Sequence, residues 1–269
     1  MSQIRKPFKE VEASRPNFDH SASFSISKTR SPSWSWGEGA CDGGACLDKE
    51  HTEINPNEPG RSAIKNYKLL ISGIVPRPIG FLSTRNENGT SQNLAPFSYT
   101  QVVNHDPPIF VVGFAGSKDK DTLKNLKATG ECVINIISEH FIEAANATSI
   151  DAPYGMSEWN LSGLTPAACK DIKVDRVKES IFSIEGKLLE VKDFESKFEK
   201  GVKSGSMAMI EGVRFWVRED ALNPDQSTID ASVLRPVSRL GGIAYGRVTQ
   251  AFELPRPRFE EQKEELSRI

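Results

Sequence analysis

The sequence predicts a mainly β protein: a closed or nearly closed antiparallel barrel with peripheral helices and an extended N-terminal arm. Three observations lead there. Short apolar or alternating runs bounded by turn formers recur from Pro78 onward, as strands do. Helical spacing is confined to short connecting segments. Regular strand–helix alternation is missing, and no G-x-G-x-x-G follows a strand. Gly113-Phe114-Ala115-Gly116 lacks that spacing, so a doubly wound dinucleotide-binding domain is not expected.

The elements follow in order. Residues 1–60 are polar and rich in Ser, Pro and Gly, a composition that does not fold alone. Phe18, Phe24, Trp34 and Trp36 nevertheless favour a partly ordered arm lying across the body or a partner subunit, with a mobile tail as the alternative. Residues 61–269 read as one globular domain. Ile64, Tyr67, Leu70 and Ile71 recur at helical spacing, with Gly73 as the stop. PIGFLST is a short apolar strand closed by the turn NENG. NLAPFSYTQVV reads as strand or loop. The HDPP corner, which forbids a helix, introduces the strand IFVVGFA. DTLKNLKAT is a short helix with Asp121 as its natural N-cap and Gly130 as its end. CVINII is a strand, and Ser138 is placed to cap an amphipathic helix with Phe141, Ile142 and Ala145 inward. SIEGKLLEVKDF and MAMIEGVRFWVRED are long strands. In the second, Val213, Phe215 and Val217 alternate with Arg214, Trp216 and Arg218, predicting one buried and one polar face. IAYGRVTQAFEL is a last strand.

Composition narrows the function classes. With 34 basic and 36 acidic residues there is no surplus to favour nucleic acid. The charged N-terminus MSQIRKPFKEVE has no apolar core and no run is long enough for a bilayer, so a cytoplasmic protein without membrane partners is expected. Four cysteines do not make a disulfide framework; Cys41 and Cys46 read as free thiols, and no metal site is expected.

Two groups of residues carry candidate chemistry. Ser83 and Thr84 end a strand; Asn93, Ala95, Pro96, Phe97 and Ser98 follow the turn. Small polar side chains and close backbone suit the edge of a flat polar heterocycle, with Phe97 or Tyr99 packing against its apolar end. The same residues also suit an edge strand satisfying its own turn. Lys118, Lys120, Asp121, Thr122 and Asn125 cluster at a helix start, where free N–H groups, the helix dipole and Lys charge favour a phosphate. A simple capped helix is the alternative. His105 reads as a proton shuttle or a turn histidine. Arg235, Arg239 and Tyr245 flank a Gly-Gly bend and suit either a ligand contact or a subunit seam.

The ordered motifs PRPIGFLST, NLAPFSYTQVVNHDPP, KDTLKNL, CVINI, EAANATSIDAPYGMSEWNLSGLTP and LRPVSRLGGIAYGR resemble the flavin-reductase-like family of FMN-binding split-barrel flavoproteins, over about Tyr67 to Arg247. The resemblance implies a six-stranded antiparallel Greek-key barrel and non-covalent FMN, usually at a homodimer interface. It places Ser83 and Thr84 at the flavin through the strand end and Asn93, Ala95, Pro96, Phe97 and Ser98 along the isoalloxazine. Lys120, Asp121 and Thr122 would lie by the phosphate, with Arg77 as a helper. The implied activity is an NAD(P)H-dependent flavin reductase, with NADH or NADPH as transient reductant and a small-molecule electron acceptor. The alternative is a non-catalytic FMN-binding or electron-transfer module reduced by a partner protein. Residues 1–60 extend beyond the family core.

Overall fold

The computed structural model describes residues 7–267. A short helix α1 (Phe8–Ala13) and an irregular arm with one brief strand, β1 (Ser25–Ser27), precede helix α2 (Ala63–Gly73). Strands β2 (Gly80–Arg85), β3 (Gln92–Phe97), β4 (Thr100–His105) and β5 (Pro108–Ala115) follow. Helix α3 (Asp121–Thr129) leads into β6 (Glu131–Ile136), then α4 (Ile142–Ala147), α5 (Glu158–Ser162) and the short strands β7 (Pro166–Ala167) and β8 (Arg176–Val177). Two long strands, β9 (Phe182–Glu195) and β10 (Lys203–Val217), precede α6 (Ala231–Leu234), β11 (Val237–Arg239), β12 (Tyr245–Arg247), β13 (Gln250–Phe252) and α7 (Phe259–Leu266). None of the described helices is long and apolar enough to cross a membrane.

Seven strands form one antiparallel sheet in the order β3-β2-β6-β9-β10-β5-β4. The ambiguous NLAPFSYTQVV segment is its two edge strands, joined by Ser98 and Tyr99 alone. Edges of a flat seven-stranded sheet stand about 29 Å apart, at ~4.8 Å per gap. The three peptide units from Phe97 to Thr100 reach only about 11 Å. The sheet therefore rolls into a barrel at this corner. The rings of Phe97 and Phe114 meet edge to face across the seam, with centroids 4.7 Å apart.

Alternation along the strands fills both faces. Leu82, Val112, Phe114, Ile134, Ile184, Ala208 and Ile210 form one core, to which α3 adds Leu123 and Leu126. Phe81 and Leu94 point the other way, into a second core with Phe141, Ala145 and Trp159. Gly130, at φ 70°, ends α3 as expected.

Several local expectations are corrected. Ser138 does not cap a continuous helix. A 3-10 turn, Glu139–Phe141, precedes α4, and Ser138 is held extended by its bridge to Pro236. In β10 the register against β9 shifts between Gly212 and Arg214. This bulge interrupts the expected alternation at Val213, which packs with Val133 and Val174. Phe215, paired with buried Ile184, meets the Phe182 ring edge to face and is 51% exposed, and half-buried Trp216 donates its indole N–H to buried Glu185 at 2.6 Å. The last strand is two: β12 pairs with β11, while β13 pairs in parallel with β1 of the arm. Trp34 and Trp36 lie in consecutive turns rather than on an extended face, with their rings edge to face at 5.8 Å.

The arm is anchored at a few points. The Trp36 indole N–H donates to Gln262 of α7 at 3.3 Å. Arg247 lies 4.3 Å over the Phe18 ring, and Arg235 donates to the Ala22 carbonyl at 3.2 Å. Both arginines also grip Glu139, each at 2.7 Å. Burial pushes the Glu139 carboxyl up, but hydrogen bonds and charge from Arg247 and Arg235 outweigh it and hold it below its ordinary value.

A carboxylate depressed in the fold contributes stability above its unfolded pKa, and that contribution is lost as pH falls through the folded value. Glu139→Gln is therefore expected to lower stability at pH 7 by about 1.5–3 kcal/mol, toward the lower end because the arginines are partly exposed. The difference from wild type should shrink as pH falls below about 4. Urea unfolding across that range checks it; a pH-independent difference would show that the charge is not what Glu139 supplies.

Candidate functional site

The rolled sheet leaves one side of β3 unpaired by any strand. A cleft of about 840 Å³ opens there, within the usual size of a cofactor site, about 300–1,000 Å³. Asn93, Ala95, Pro96 and Phe97 of β3 form one wall, the start of α3 with Lys118, Lys120 and Thr122 another, and the Thr148–Ala152 segment with Tyr154 a third.

A buried polar network holds these walls together. Thr122 Oγ1 donates to Asn93 Oδ1 at 2.6 Å, and Asn93 Nδ2 donates to Glu158 Oε2 at 2.9 Å. The same carboxylate oxygen accepts the Leu94 N–H at 3.1 Å. Asn125 Nδ2 donates to Thr84 Oγ1 at 3.3 Å, and the Tyr154 hydroxyl donates to Asn125 Oδ1 at 3.2 Å. Buried amides and hydroxyls thus find partners in one another. The network fixes β3, α3 and the 148–154 segment relative to one another.

The start of α3 has the electrostatics of an anion site. The N-cap position is Lys120, not Asp121, and no side chain caps the helix. The first-turn N–H groups consequently lack intrahelical acceptors, at the positive end of the dipole. Lys118 and Lys120 have no acidic partner among the described residues. The acids flanking the helix start are occupied, whereas Asp151 on the third wall is in no ion pair among the described residues. Asp121 pairs with Lys124 at 3.1 Å. Asp119 takes Lys127 at 2.8 Å and Lys203 on its other oxygen. Hydrogen bonds from Lys127 and Lys203 hold its carboxyl below the usual range, against a smaller opposing effect of burial.

The structure brings most of the candidates together. Asn93, Ala95, Pro96, Phe97, Lys120, Asp121 and Thr122 line this cleft. Ser83 and Thr84 are fully buried behind it: Ser83 Oγ donates to the Asp175 carbonyl at 2.6 Å, and Thr84 belongs to the network. The Thr122 hydroxyl is turned inward to Asn93, which leaves its backbone N–H for a ligand. Arg77 and Ser98 line a side cavity of about 220 Å³, which shares Pro96, Phe97 and Lys120 with the main cleft. Tyr154 and Glu158 were not among the candidates. Tyr154 sits in the turn-former run after α4, DAPYG, and Glu158 at the start of α5; neither segment carries chemistry until the fold sets it against β3 and α3. His105 lies on the exposed edge strand β4, outside both linings. Cys41 and Cys46 are free and exposed.

An anion cradle at one end and a close-packed small-residue wall along the other fit a flavin mononucleotide. The backbone of β3 would run along the ring, and Lys118, Lys120 and the α3 N-terminus would hold the phosphate.

Comparison with known proteins gives a concordant result. Residues 72–231 match the family model described as the flavin reductase like domain. An uncharacterized protein of Halalkalibacterium halodurans is 34% identical over 218 residues, covering 79% of this chain and all of that protein. Nitrilotriacetate monooxygenase component B of Bacillus cereus is 33% identical, with a TM-score of 0.72 over 77% of this chain and 100% of that one. The 2-nitrobenzoate 2-nitroreductase of Pseudomonas fluorescens is 28% identical, with a TM-score of 0.67 over 77% and 98%. For the fold alone, a split-barrel protein of Shewanella frigidimarina superposes with a TM-score of 0.65 at 21% identity, over 78% and 100% of the two chains. With the family model spanning more than half of the sequence and the barrel matching over 77% of this chain and 100% of the Bacillus cereus one, this protein belongs to the flavin reductase like domain family.

Proposed function

We propose that this protein is an FMN-dependent oxidoreductase of the NAD(P)H:flavin reductase type. The observation that carries the reading is the main cleft: the β3 wall from Asn93 to Phe97 ends beside an uncapped helix N-terminus with two lysines that have no acidic partner among the described residues. Bound there, FMN supplies a two-electron acceptor that takes hydride from NADH or NADPH and releases electrons to a second acceptor. The chain's own residues bind and orient. Lys118, Lys120 and first-turn N–H groups of α3 neutralise the phosphate. Ala95 and Pro96 admit the ring close to the backbone, and Phe97, braced on Phe114, backs its apolar part. A reduced nicotinamide as donor accords with the cytoplasmic setting expected from the sequence. The relatives support the class: one is a monooxygenase component and another a nitroreductase.

The direct test is reconstitution with FMN followed by anaerobic mixing with NADH or NADPH. Rapid bleaching near 450 nm, about the oxidised-flavin band, is the expected outcome. A protein that stays flavin-free in excess FMN would end the proposal, and one that binds FMN without bleaching would leave only the module reduced by a partner.

Lys120→Glu should weaken FMN about ten- to hundredfold while riboflavin, which lacks the phosphate, loses much less. Fluorescence titration with both ligands reads the contrast; equal losses would remove Lys120 from the phosphate.

The assembly is proposed to be a homodimer with the flavin near the seam. On α2 only Ile71 is buried, while Ile64, Tyr67 and Leu70 are each about half exposed, as are Val102 and Val103 on the edge strand β4. Apolar groups gathered on one helix and one edge mark an association surface. Light scattering should give a dimer that sheds FMN on dilution to monomer. A flavin-loaded monomer would contradict it.

A further inference from the structure

The side cavity next to the cleft has a chemistry of its own. Its walls include Tyr67 of α2, Phe97 and Tyr99 at the barrel corner, and three cations: Arg77, Lys120 and Arg239. No carboxylate lines it, and none of the three cations has an acidic partner among the described residues. The two arginines are set side by side by reciprocal backbone bonds: Arg77 N–H donates to the Arg239 carbonyl at 3.1 Å, and Arg239 N–H donates to the Arg77 carbonyl at 2.9 Å.

Their guanidinium groups are held by neutral partners. Arg77 donates to the carbonyls of Ile71 at 2.5 Å, Ile74 at 2.8 Å and Leu240 at 3.0 Å. Arg239 donates to the Gly242 carbonyl at 2.8 Å and lies 4.4 Å over the Tyr245 ring. Arg77 is only 7% exposed, and its buried Nε–H has no acceptor among the described residues. Carbonyls orient a guanidinium without cancelling its charge, so the cavity keeps a fixed positive potential. Burial and the neighbouring Tyr67 raise the Tyr99 hydroxyl above its ordinary pKa, against a smaller opposing effect of Arg77, so Tyr99 stays a neutral donor near pH 7. At about 220 Å³ the space is below the range of a drug-sized ligand, about 300–1,000 Å³. It admits one ring and its substituents, not a second flavin or a dinucleotide.

We propose that this cavity is a second-ligand subsite that takes a small planar aromatic carboxylate, seated between Tyr67, Tyr99 and the two arginines. The aromatic walls select a ring, and the planar guanidinium groups select a planar anion. The shared wall of Pro96, Phe97 and Lys120 puts that ligand beside whatever occupies the main cleft. The assignment of the ligand as an electron acceptor rests on the flavin reading of that cleft; the binding chemistry does not.

The test is calorimetric titration with benzoate of the protein as purified and after loading with FMN, with benzamide, acetate and inorganic phosphate as controls. Benzoate is expected to saturate, each control to bind at least about tenfold more weakly, and FMN to stay bound. Arg239→Gln should weaken benzoate about ten- to hundredfold. Tyr67→Ala, on an exposed helix face, should weaken it too without touching the β11–β12 hairpin. Benzamide, acetate or phosphate binding as tightly as benzoate would overturn the proposal. So would displacement of FMN by benzoate, or no saturable benzoate binding up to about 10 mM, well beyond a millimolar affinity. Selective benzoate binding by a protein that refuses FMN would uphold the subsite and sink the flavin reading instead.

Discussion

The two-residue link between the edge strands of the sheet is the constraint on which the molecule turns. Because Ser98 and Tyr99 alone join β3 to β4, the sheet cannot stay open, and its corner is packed from both sides. A Cβ on Gly80 of β2 would stand 2.7 Å from Thr100 Oγ1, and one on Gly113 of β5 2.9 Å from Tyr99 Cβ. Glycine at these two positions gives the corner room to sit down. Thr100 Oγ1 then donates to the Phe97 carbonyl at 2.7 Å and closes the link on itself. Closure decides where function can reside. It turns the outer side of β3 toward α3 and the 148–154 segment, and it makes Pro96 and Phe97 the partition between the two cavities.

The charge pattern follows from the same geometry. Around the cleft, most of the acids are tied to something fixed: Asp119 to two lysines, Asp121 to Lys124, Glu158 to Asn93 and the β3 backbone. Lys118, Lys120, Arg77 and Arg239 are left without an acidic partner among the described residues. Near-neutral composition therefore conceals a locally positive site, because pairing, not composition, sets the local potential.

What could be read from the sequence divides along physical lines. Strands of continuous apolar residues and the α3 stop at Gly130 depend on local signals and were legible. The gathering of the β3 and α3 residues around one cleft was also legible, because motif order pointed to them together. The face of Val213 was not, since one bulge at Gly212–Arg214 turns it toward Val133 and Val174 and no residue announces it. Ser83 and Arg77 were named for polar chemistry, yet their side chains bond to carbonyls of Asp175 and of Ile71, Ile74 and Leu240, residues whose proximity only the fold creates. The side cavity was illegible for the same reason: Tyr67 and Arg239 lie far apart in sequence and meet through the bridge between Arg77 and Arg239.

Helix α2 connects the two proposals. Its inner residue Ile71 and its half-exposed Tyr67 both line the side cavity, while Ile64 and Leu70 on the same helix remain in water. The Ile71 and Ile74 carbonyls near its C-terminal end are the acceptors that hold Arg77. A neighbour covering the exposed apolar residues would thus bear on the helix that carries one aromatic wall and one guanidinium anchor. Assembly and second-ligand binding are then energetically linked. If the dimer holds α2 in the orientation that forms the cavity, the ligand favours the dimer by the same factor by which the dimer favours the ligand. The linkage needs no moving lid, only one short helix shared between a seam and a pocket.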